Sequence, residues 1–372
     1  MNRIERPDLD VNVETAIAAI ARGEMLVVTD DDDRENEGDL VMAASAATPE
    51  KLAFIVRHTC GIVCAPLTAE RAKTLRLDPM VKDNDAPLGT AFTVSIDFRH
   101  GTSTGISADD RTATVRALAN GNVGASDFSR PGHIFPLIAR EGGVLMRSGH
   151  TEAAVDLCRL AGLDPVGVIC ELVNDDGSVK RGPGVAQFAE AHKLTRLSVA
   201  ELIAWRQRRE KLVERVASFA IETDAGSATA YAYATPFDKV QHLAIAFGDI
   251  SSGEDVPVRL RREDILADVF GDRRSLNAAM AKFAAHRRGI LVYLREGTAG
   301  VPGQGGNARP EYERHETARR REEEWREVGL GAQILRDLGV RSIRLLASKS
   351  RRYVGLSGFG ITIKAIDIFE GD

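Results

Sequence analysis

Apolar positions in the first 200 residues change period repeatedly, and each change predicts an element. Val13, Ile17 and Ile20 share one face of a helix over Val13 to Ala21, with Gly23 placed to end it, and Met25 to Val28 reads as a short strand. The acid-dense stretch from Asp30 to Asp39 lies between two apolar runs and reads as a loop, the second run resuming at Leu40. Thr48-Pro49-Glu50 has the form of a helix start, with Thr48 as cap, Pro49 in the first turn and Gly61 closing the helix. Ala91 to Ile96 alternates as a strand does. Ser107, followed three residues later by Asp110, forms a loose capping box for a helix running to about Ala119. Val144 to Arg147 reads as a strand that leads through Ser148-Gly149-His150-Thr151 into a helix ending near Gly162, and Val166 to Val173 is again strand-like. Strands alternating with helices predict an α/β or α+β layered fold.

Leu197 to about Val216 reads as a charged helix with Trp205 and Leu212 on one side, and the composition changes after it. The domain boundary is placed there, giving domains of residues 1–207 and 208–372, in line with ~150 residues per domain. The second half resumes with strands at Ala228 to Ala234, Gln241 to Phe247, Gly289 to Leu294 and Ser342 to Leu346. Thr298 to Arg309, rich in Gly and Pro, reads as mobile, and Arg309 to Glu327 mixes both charges as a solvated helix face does. No internal repeat is visible.

Composition narrows the classes. Hydrophobic residues make up 44% and charged residues 28% of the 372, which excludes wholesale disorder and fibrous chains. A net charge of -5 gives no electrostatic reason to expect nucleic acid or an anionic membrane as partner. Residues 1–10 are charged and no apolar run approaches the ~18 residues of a membrane span, so the cytoplasm is the expected location. The four cysteines, Cys60, Cys64, Cys158 and Cys170, all lie in the first half. Without a second closely spaced pair they read as buried thiols rather than metal ligands, and the second half has no thiolate at all.

Four places could carry chemistry. The acidic loop, Asp30 to Asp33 with Glu35, Glu37 and Asp39, is either a solvated surface loop or a site for a hard divalent cation that relieves the repulsion among its carboxylates. Arg147-Ser148-Gly149-His150-Thr151-Glu152 brings a guanidinium, a hydroxyl and helix-start N–H groups together as a phosphate requires, though strand-to-helix turns of this kind are also common as structure. His133, beside Pro131-Gly132, reads as loop-borne, either idle or working in acid–base chemistry near neutral pH. Glu171 follows the apolar run Val168-Ile169-Cys170. It is either a solvent-face residue of an edge strand or a carboxylate made more basic by apolar surroundings.

Together these segments resemble 3,4-dihydroxy-2-butanone 4-phosphate synthase of riboflavin biosynthesis, a lyase. The match runs from about Thr15 to Trp205 and includes Asp30 to Asp39, Thr90-Ala91-Phe92-Thr93-Val94, Thr104-Gly105-Ile106-Ser107-Ala108, the His133 segment and Arg147 to Ala153. The resemblance implies conversion of ribulose 5-phosphate to 3,4-dihydroxy-2-butanone 4-phosphate and formate. It also implies Glu35 and His150 as ligands of two magnesium (or manganese) ions per site. Arg34, Glu35, Asp39, Arg147, Ser148, Gly149, His150, Thr151 and Glu171 would contact substrate, with His133 and Glu171 catalytic. The family's homodimer, with sites at the subunit interface, implies that His150 reaches the partner's acidic loop.

The second half resembles GTP cyclohydrolase II, a second α/β domain, through Asp268-Val269-Phe270-Gly271, Gly289 to Arg295, Gly331-Ala332-Gln333-Ile334-Leu335 and Arg344-Leu345-Leu346. The family's three zinc cysteines fall on Asp264, Ser275 and Asn277. Its Gln-Glu-Gly-Arg-Gly stretch is reduced to Glu296-Gly297-Thr298, and Ala347-Ser348-Lys349-Ser350 replaces Thr-Asn-Asn-Pro. Of its catalytic set only Arg326 persists, within Glu324-Trp325-Arg326-Glu327-Val328. Zinc-activated water needs about three firm ligands, and Ser275 and Asn277 are poor donors, so no zinc and no GTP cyclohydrolase activity are expected. The alternatives are a bifunctional enzyme that still opens GTP and a non-catalytic regulatory partner of riboflavin enzymes. The intact Glu35, His133, His150 and Glu171 motifs speak against the latter.

Overall fold

A computed structural model of the chain describes residues 7–30, 36–86, 88–236, 240–271, 273–295, 329–347 and 361–368. It divides into two compact units, the first ending at Trp205 and the second beginning at Arg206. Each is an α/β unit built on a seven-stranded mixed sheet.

In the first unit the elements are α1 (Pro7–Ala21), β1 (Leu26–Thr29), β2 (Gly38–Ala43), α2 (Pro49–His58), β3 (Cys64–Leu67), α3 (Ala69–Thr74), β4 (Ile96–Phe98), α4 (Ala108–Ala119), β5 (Phe128–Ile138), α5 (His150–Leu160), β6 (Gly167–Glu171), α6 (Pro183–Ala191), β7 (Thr195–Ser198) and α7 (Val199–Arg209), inside which the division falls. The sheet order is β4-β5-β3-β6-β2-β1-β7, with β3–β5 and β1–β7 parallel and the other pairs antiparallel. All six residues of β2 are buried, as expected of a central strand covered on both faces. Helices α1 and α5 pack on one another and on the sheet; α2 packs on α4, which lies against β4 and β5. Leu52 and Ile55 of α2 are fully buried, each worth about 1.5–3 kcal/mol by the area it removes from water.

Local signals explain several ends. Thr48 Oγ1 accepts the Lys51 N–H at the start of α2, and Ser107 Oγ accepts the Asp110 N–H at the start of α4. Other expectations fail for tertiary reasons. Helix α2 stops at His58, three residues before Gly61. Within Ala91 to Ile96, Phe92 and Thr93 make isolated bridges, to Leu137 and Pro79, and only Ile96 joins a strand, β4; Pro136 of β5 takes the Thr93 N–H but has no N–H of its own to return. Gly143–Leu145 is a 3-10 turn in place of the expected strand. The Val144 N–H is taken by the buried Asp156 carboxylate at 2.8 Å, which also fills the space a β-carbon on Gly143 would need.

In the second unit the strands are β8 (Glu214–Thr223), β9 (Gly226–Ala234), β10 (His242–Gly248) and β11 (Val256–Arg262), then helix α8 (Arg274–His286), and β12 (Arg288–Leu294), β13 (Ser342–Ala347) and β14 (Thr362–Ile368). The order is β14-β13-β11-β12-β10-β9-β8, parallel from β14 to β12 and antiparallel beyond. The charged helix expected to reach Val216 ends at Arg209. The Gln333 amide closes it by donating to the Gln207 and Glu210 carbonyls while its Oε1 accepts the Leu212 N–H, and Glu214 onward pairs with β9. Thr298 to Arg309 and Arg309 to Glu327 lie outside the described residues. Among the described residues no helix is long and apolar enough to cross a membrane.

Candidate active site

The first unit's sheet places the candidate residues by register. Asp39, second in β2, is directly opposite Glu171, last in β6, so their side chains leave the same face at neighbouring positions. Strand β3 pairs through Cys64 with Ile169 of β6 on one side and Phe135 of β5 on the other. Stepping from those residues toward the start of β3 reaches Glu171 on the antiparallel neighbour and His133 on the parallel one. Both therefore stand at one end of the sheet, two strand spacings or ~10 Å apart. β1 and β2 open at the same end, so the acidic loop leaves from it. Asp30 closes that loop, its Oδ1 accepting the Glu37 N–H at 2.9 Å, and Arg181 holds Glu37 at 2.8 Å. Arg34 and Glu35 lie outside the described residues.

His150 is the first residue of α5 and is buried, its Nδ1 3.8 Å from Asp39 Oδ1. The sheet thus brings Asp39, His150 and Glu171 into one neighbourhood. These oxygen and imidazole donors fit a hard divalent cation that keeps part of its water. Gly149, the N-cap of α5, has no side-chain cap, so the helix's first-turn N–H groups keep their preference for an anion. Ser148 and Thr151 are buried on either side of it. Arg147 is already engaged: Nη1 donates to Glu152 Oε2 at 2.7 Å and Nη2 to Thr90 Oγ1 at 3.2 Å. A β-carbon on Gly149 would stand 2.5 Å from Arg147 Nη1 and 2.9 Å from Glu152 Oε2, so glycine is needed for this pair to close.

His133 is not loop-borne: it lies inside β5. Asp97 of β4 orients it, Oδ1 accepting its backbone N–H at 2.9 Å and Oδ2 facing Nδ1 at 2.7 Å. Gly105, at φ +86°, packs against this pair. Asp110 holds the Gly105 loop from beneath by accepting the N–H groups of Ser103 and Gly105 and the Ser103 hydroxyl. The Ser103 N–H, first among these donors, keeps the Asp110 carboxyl below the ordinary aspartate range.

Glu171 differs from both readings of it. It ends a central strand, not an edge strand, and it is half-buried, not enclosed in apolar surroundings. Its partner is Cys60, whose Sγ lies 2.9 Å from Oε2 and 3.6 Å from Cys170 Sγ. The expectation of a buried Cys60 fails, because β3 begins only at Cys64 and Cys60 sits in the exposed turn before it, whereas Cys64 is buried as expected. The hydrogen bond from Cys170 lowers the Cys60 thiol despite the opposing Glu171 charge, while that same bond and burial push Cys170 up. Sequence reasoning missed Asp97 and Cys60 as members of the site; neither has a local signal, since each meets its partner only through the fold, whereas Glu152 already stands in the Arg147 to Glu152 motif, five positions from the arginine it pairs with.

In the second unit, Asp264 and Ser275 are committed to the protein itself. Asp264 Oδ1 accepts the Ala267 N–H at 3.0 Å, and the buried Ser275 Oγ accepts from Arg259 at 2.9 Å. Asn277 is in the first turn of α8. Glu296 to Thr298, Glu324 to Val328 with Arg326, and Ser348 to Ser350 lie outside the described residues.

The model of the 3,4-dihydroxy-2-butanone 4-phosphate synthase family matches residues 14–205, and that of GTP cyclohydrolase II matches residues 214–366. The chain is 47% identical over 367 residues to the bifunctional riboflavin biosynthesis protein RIBA 1, chloroplastic, of Arabidopsis thaliana, covering 95% of this chain and 68% of that protein. Among solved structures it is similar to RibBX, a two domain 3,4-dihydroxy-2-butanone 4-phosphate synthase from A. baumannii, with 35% identity and a TM-score of 0.80 over 96% of this chain and 99% of that one. A 3,4-dihydroxy-2-butanone 4-phosphate synthase in complex with two magnesium ions matches with 45% identity and a TM-score of 0.52, covering 53% of this chain and 97% of that one.

Proposed function

Because the chain belongs to the 3,4-dihydroxy-2-butanone 4-phosphate synthase family through its first half, fused to a GTP cyclohydrolase II-family domain, and is an enzyme of riboflavin biosynthesis, we propose that its one activity is the synthase reaction. D-ribulose 5-phosphate is converted to 3,4-dihydroxy-2-butanone 4-phosphate and formate by the domain of residues 1–207, and the domain of residues 208–372 is catalytically inactive. The observation that carries the reading is the convergence of Asp39, His150, Glu171 and the Asp97-oriented His133 at one sheet end.

Glu35 and His150 would hold two magnesium ions, or manganese, as the structural relative with two magnesium ions suggests. Bound there, the ions act as a Lewis acid that stabilises negative charge on the substrate oxygens. Arg34, Asp39 and the Arg147 to Thr151 turn bind the sugar phosphate, its anion facing the uncapped start of α5. Glu171 is open to solvent on one side and accepts a proton in the enolisation; His133, locked by Asp97, moves a proton at Nε2. The carbon skeleton then rearranges and C4 leaves as formate, with no redox cofactor. A homodimer in the cytoplasm, without nucleic acid or membrane, completes the proposal.

Inactivity of the second domain is supported by donor chemistry. The positions of the zinc cysteines hold Asp264, Ser275 and Asn277, and the Ser275 hydroxyl faces a buried guanidinium. The two domain synthase from A. baumannii is described by that activity alone, whereas the Arabidopsis relative is described as bifunctional. The deciding experiment incubates the full chain with ribulose 5-phosphate and magnesium and measures formate. Release that disappears in Glu35→Ala and His133→Ala is expected, and absence of formate from the wild type overturns the proposal.

A further inference from the structure

Cys60, Cys170 and Glu171 offer three ligand atoms within 4.8 Å of one another. The two sulfurs are 3.6 Å apart, and Cys60 Sγ is 2.9 Å from Glu171 Oε2. Two thiolates on a tetrahedral zinc, each at ~2.3 Å, stand ~3.8 Å apart, so the sulfurs are nearly placed for a shared ion. The carboxylate needs to swing outward by under about 1 Å to reach its own ~2.0–2.2 Å bond length. The backbone beneath is fixed: the Cys60 N–H donates to the Glu171 carbonyl at 2.9 Å, and Thr59 bridges Leu172 across the same strands. Thr59 Oγ1 lies 2.9 Å from Cys170 Sγ and 2.7 Å from the Ile55 carbonyl, which competes for its one proton, so Thr59 fixes the position of the sulfur. Cys60 is exposed, which gives an ion its way in, and a solvent molecule can complete the tetrahedron.

We propose that Cys60, Cys170 and Glu171 form a capture site for a soft or borderline divalent cation such as zinc, and that occupancy withdraws Glu171 from turnover. Two thiols lose their protons to solvent, two sulfur–metal bonds and one carboxylate–metal bond form, and nothing is oxidised. The donor set separates this site from the one assigned to magnesium: it has two thiolates, which prefer zinc and cadmium, whereas the other has carboxylates and one imidazole and no sulfur. The consequence for turnover rests on the catalytic role proposed for Glu171, whereas the binding does not.

Cadmium tests the binding directly, because its thiolate complexes absorb in the ultraviolet by charge transfer. The reduced full chain, kept in excess magnesium, is titrated with cadmium. The expected result is a band that saturates at one ion per chain, disappears in Cys60→Ser, and requires roughly tenfold more cadmium or above in Glu171→Gln. Cys60 is exposed, so its serine variant keeps the fold, and circular dichroism verifies this. No band, or a band unchanged in Cys60→Ser, overturns the site. In parallel, formate release by the wild type falls as zinc fills the site and returns on chelation. A band of the expected kind without this loss retains the capture site and removes its link to Glu171 catalysis.

Discussion

Asp97 grips His133 at two atoms, one carboxylate oxygen taking the backbone N–H at 2.9 Å and the other facing Nδ1 at 2.7 Å. An ionised carboxylate only accepts, so the ring proton is on Nδ1 and Nε2 is left to exchange protons with substrate. Replacing Asp97 by Asn keeps the shape, but with Oδ1 held by the His133 backbone N–H it turns an amide donor toward Nδ1 and no longer selects this tautomer. Formate turnover by Asp97→Asn is expected to fall by about 10²-fold, the lower range for a lost acid–base group, with KM little changed. An unchanged kcat sinks this role for Asp97.

Gly105 has φ +86°, and a β-carbon there would overlap the Asp97 carboxylate and stand 2.7 Å from His133 Nδ1. Gly105→Ala therefore strains the backbone and pushes the pair apart. A stability loss of about 1–3 kcal/mol by denaturant unfolding is expected, with a fall in kcat like that of Asp97→Asn. A variant as stable and active as the wild type contradicts this close packing.

Glu152 is 1% exposed, and it takes the Arg147 guanidinium on one oxygen and the Arg140 N–H on the other. Glu152→Gln keeps the size but leaves a largely buried guanidinium without its counter-charge. The expected loss is about 1–3 kcal/mol in unfolding free energy. A raised KM for ribulose 5-phosphate should accompany it, because Arg147 no longer holds its position beside α5. A wild-type denaturation midpoint and KM contradict it.

Asp110 links the fold to pH. Its carboxyl titrates below the ordinary aspartate value because the Ser103 N–H and hydroxyl stabilise the charged form. A lowered folded-state pKa gives stability that is present above the unfolded value of ~3.9 and is lost as pH falls through the lower, folded one. The stability difference between wild type and Asp110→Asn should therefore be largest near neutral pH and shrink only below the ordinary aspartate range. Faster Gly105 amide exchange in the wild type over the same acid window is the local readout, and a difference that vanishes above pH ~5 contradicts the assignment.

What the chain revealed in advance follows the range of the interaction. The caps Thr48 and Ser107 act on residues three positions away and are legible as local patterns. The motif around His150 also sits in a single turn of chain. The Asp97–His133 pair spans 36 positions and Cys60–Glu171 spans 111, so no local pattern announces either. Val144 reads as strand until Asp156, twelve positions on, takes its N–H and bends the backbone into a 3-10 turn. His133 was expected in a loop because Pro131-Gly132 punctuates the sequence there. Yet β5 continues through both residues: Gly132 packs against the Ile96 backbone, leaving no space for a side chain, and its N–H donates to Ser95 Oγ at 3.2 Å.

The second domain gives the last prediction. Ser275 is buried with its hydroxyl accepting from Arg259, whose other nitrogen donates to the Leu346 carbonyl at 3.1 Å. A zinc ion bound there would sit beside a fixed positive charge with one carboxylate, Asp264, and no thiolate to offset the repulsion. The full chain given GTP and zinc should release neither formate nor a pyrimidine product. Because zinc can also occupy the Cys60 cluster, metal content is measured in Cys60→Ser, where less than one stoichiometric zinc per chain is expected to remain after dialysis. GTP turnover that disappears in Arg326→Ala, or a full equivalent of zinc retained by Cys60→Ser and released by Asp264→Ala, shows instead that the domain still holds a working metal.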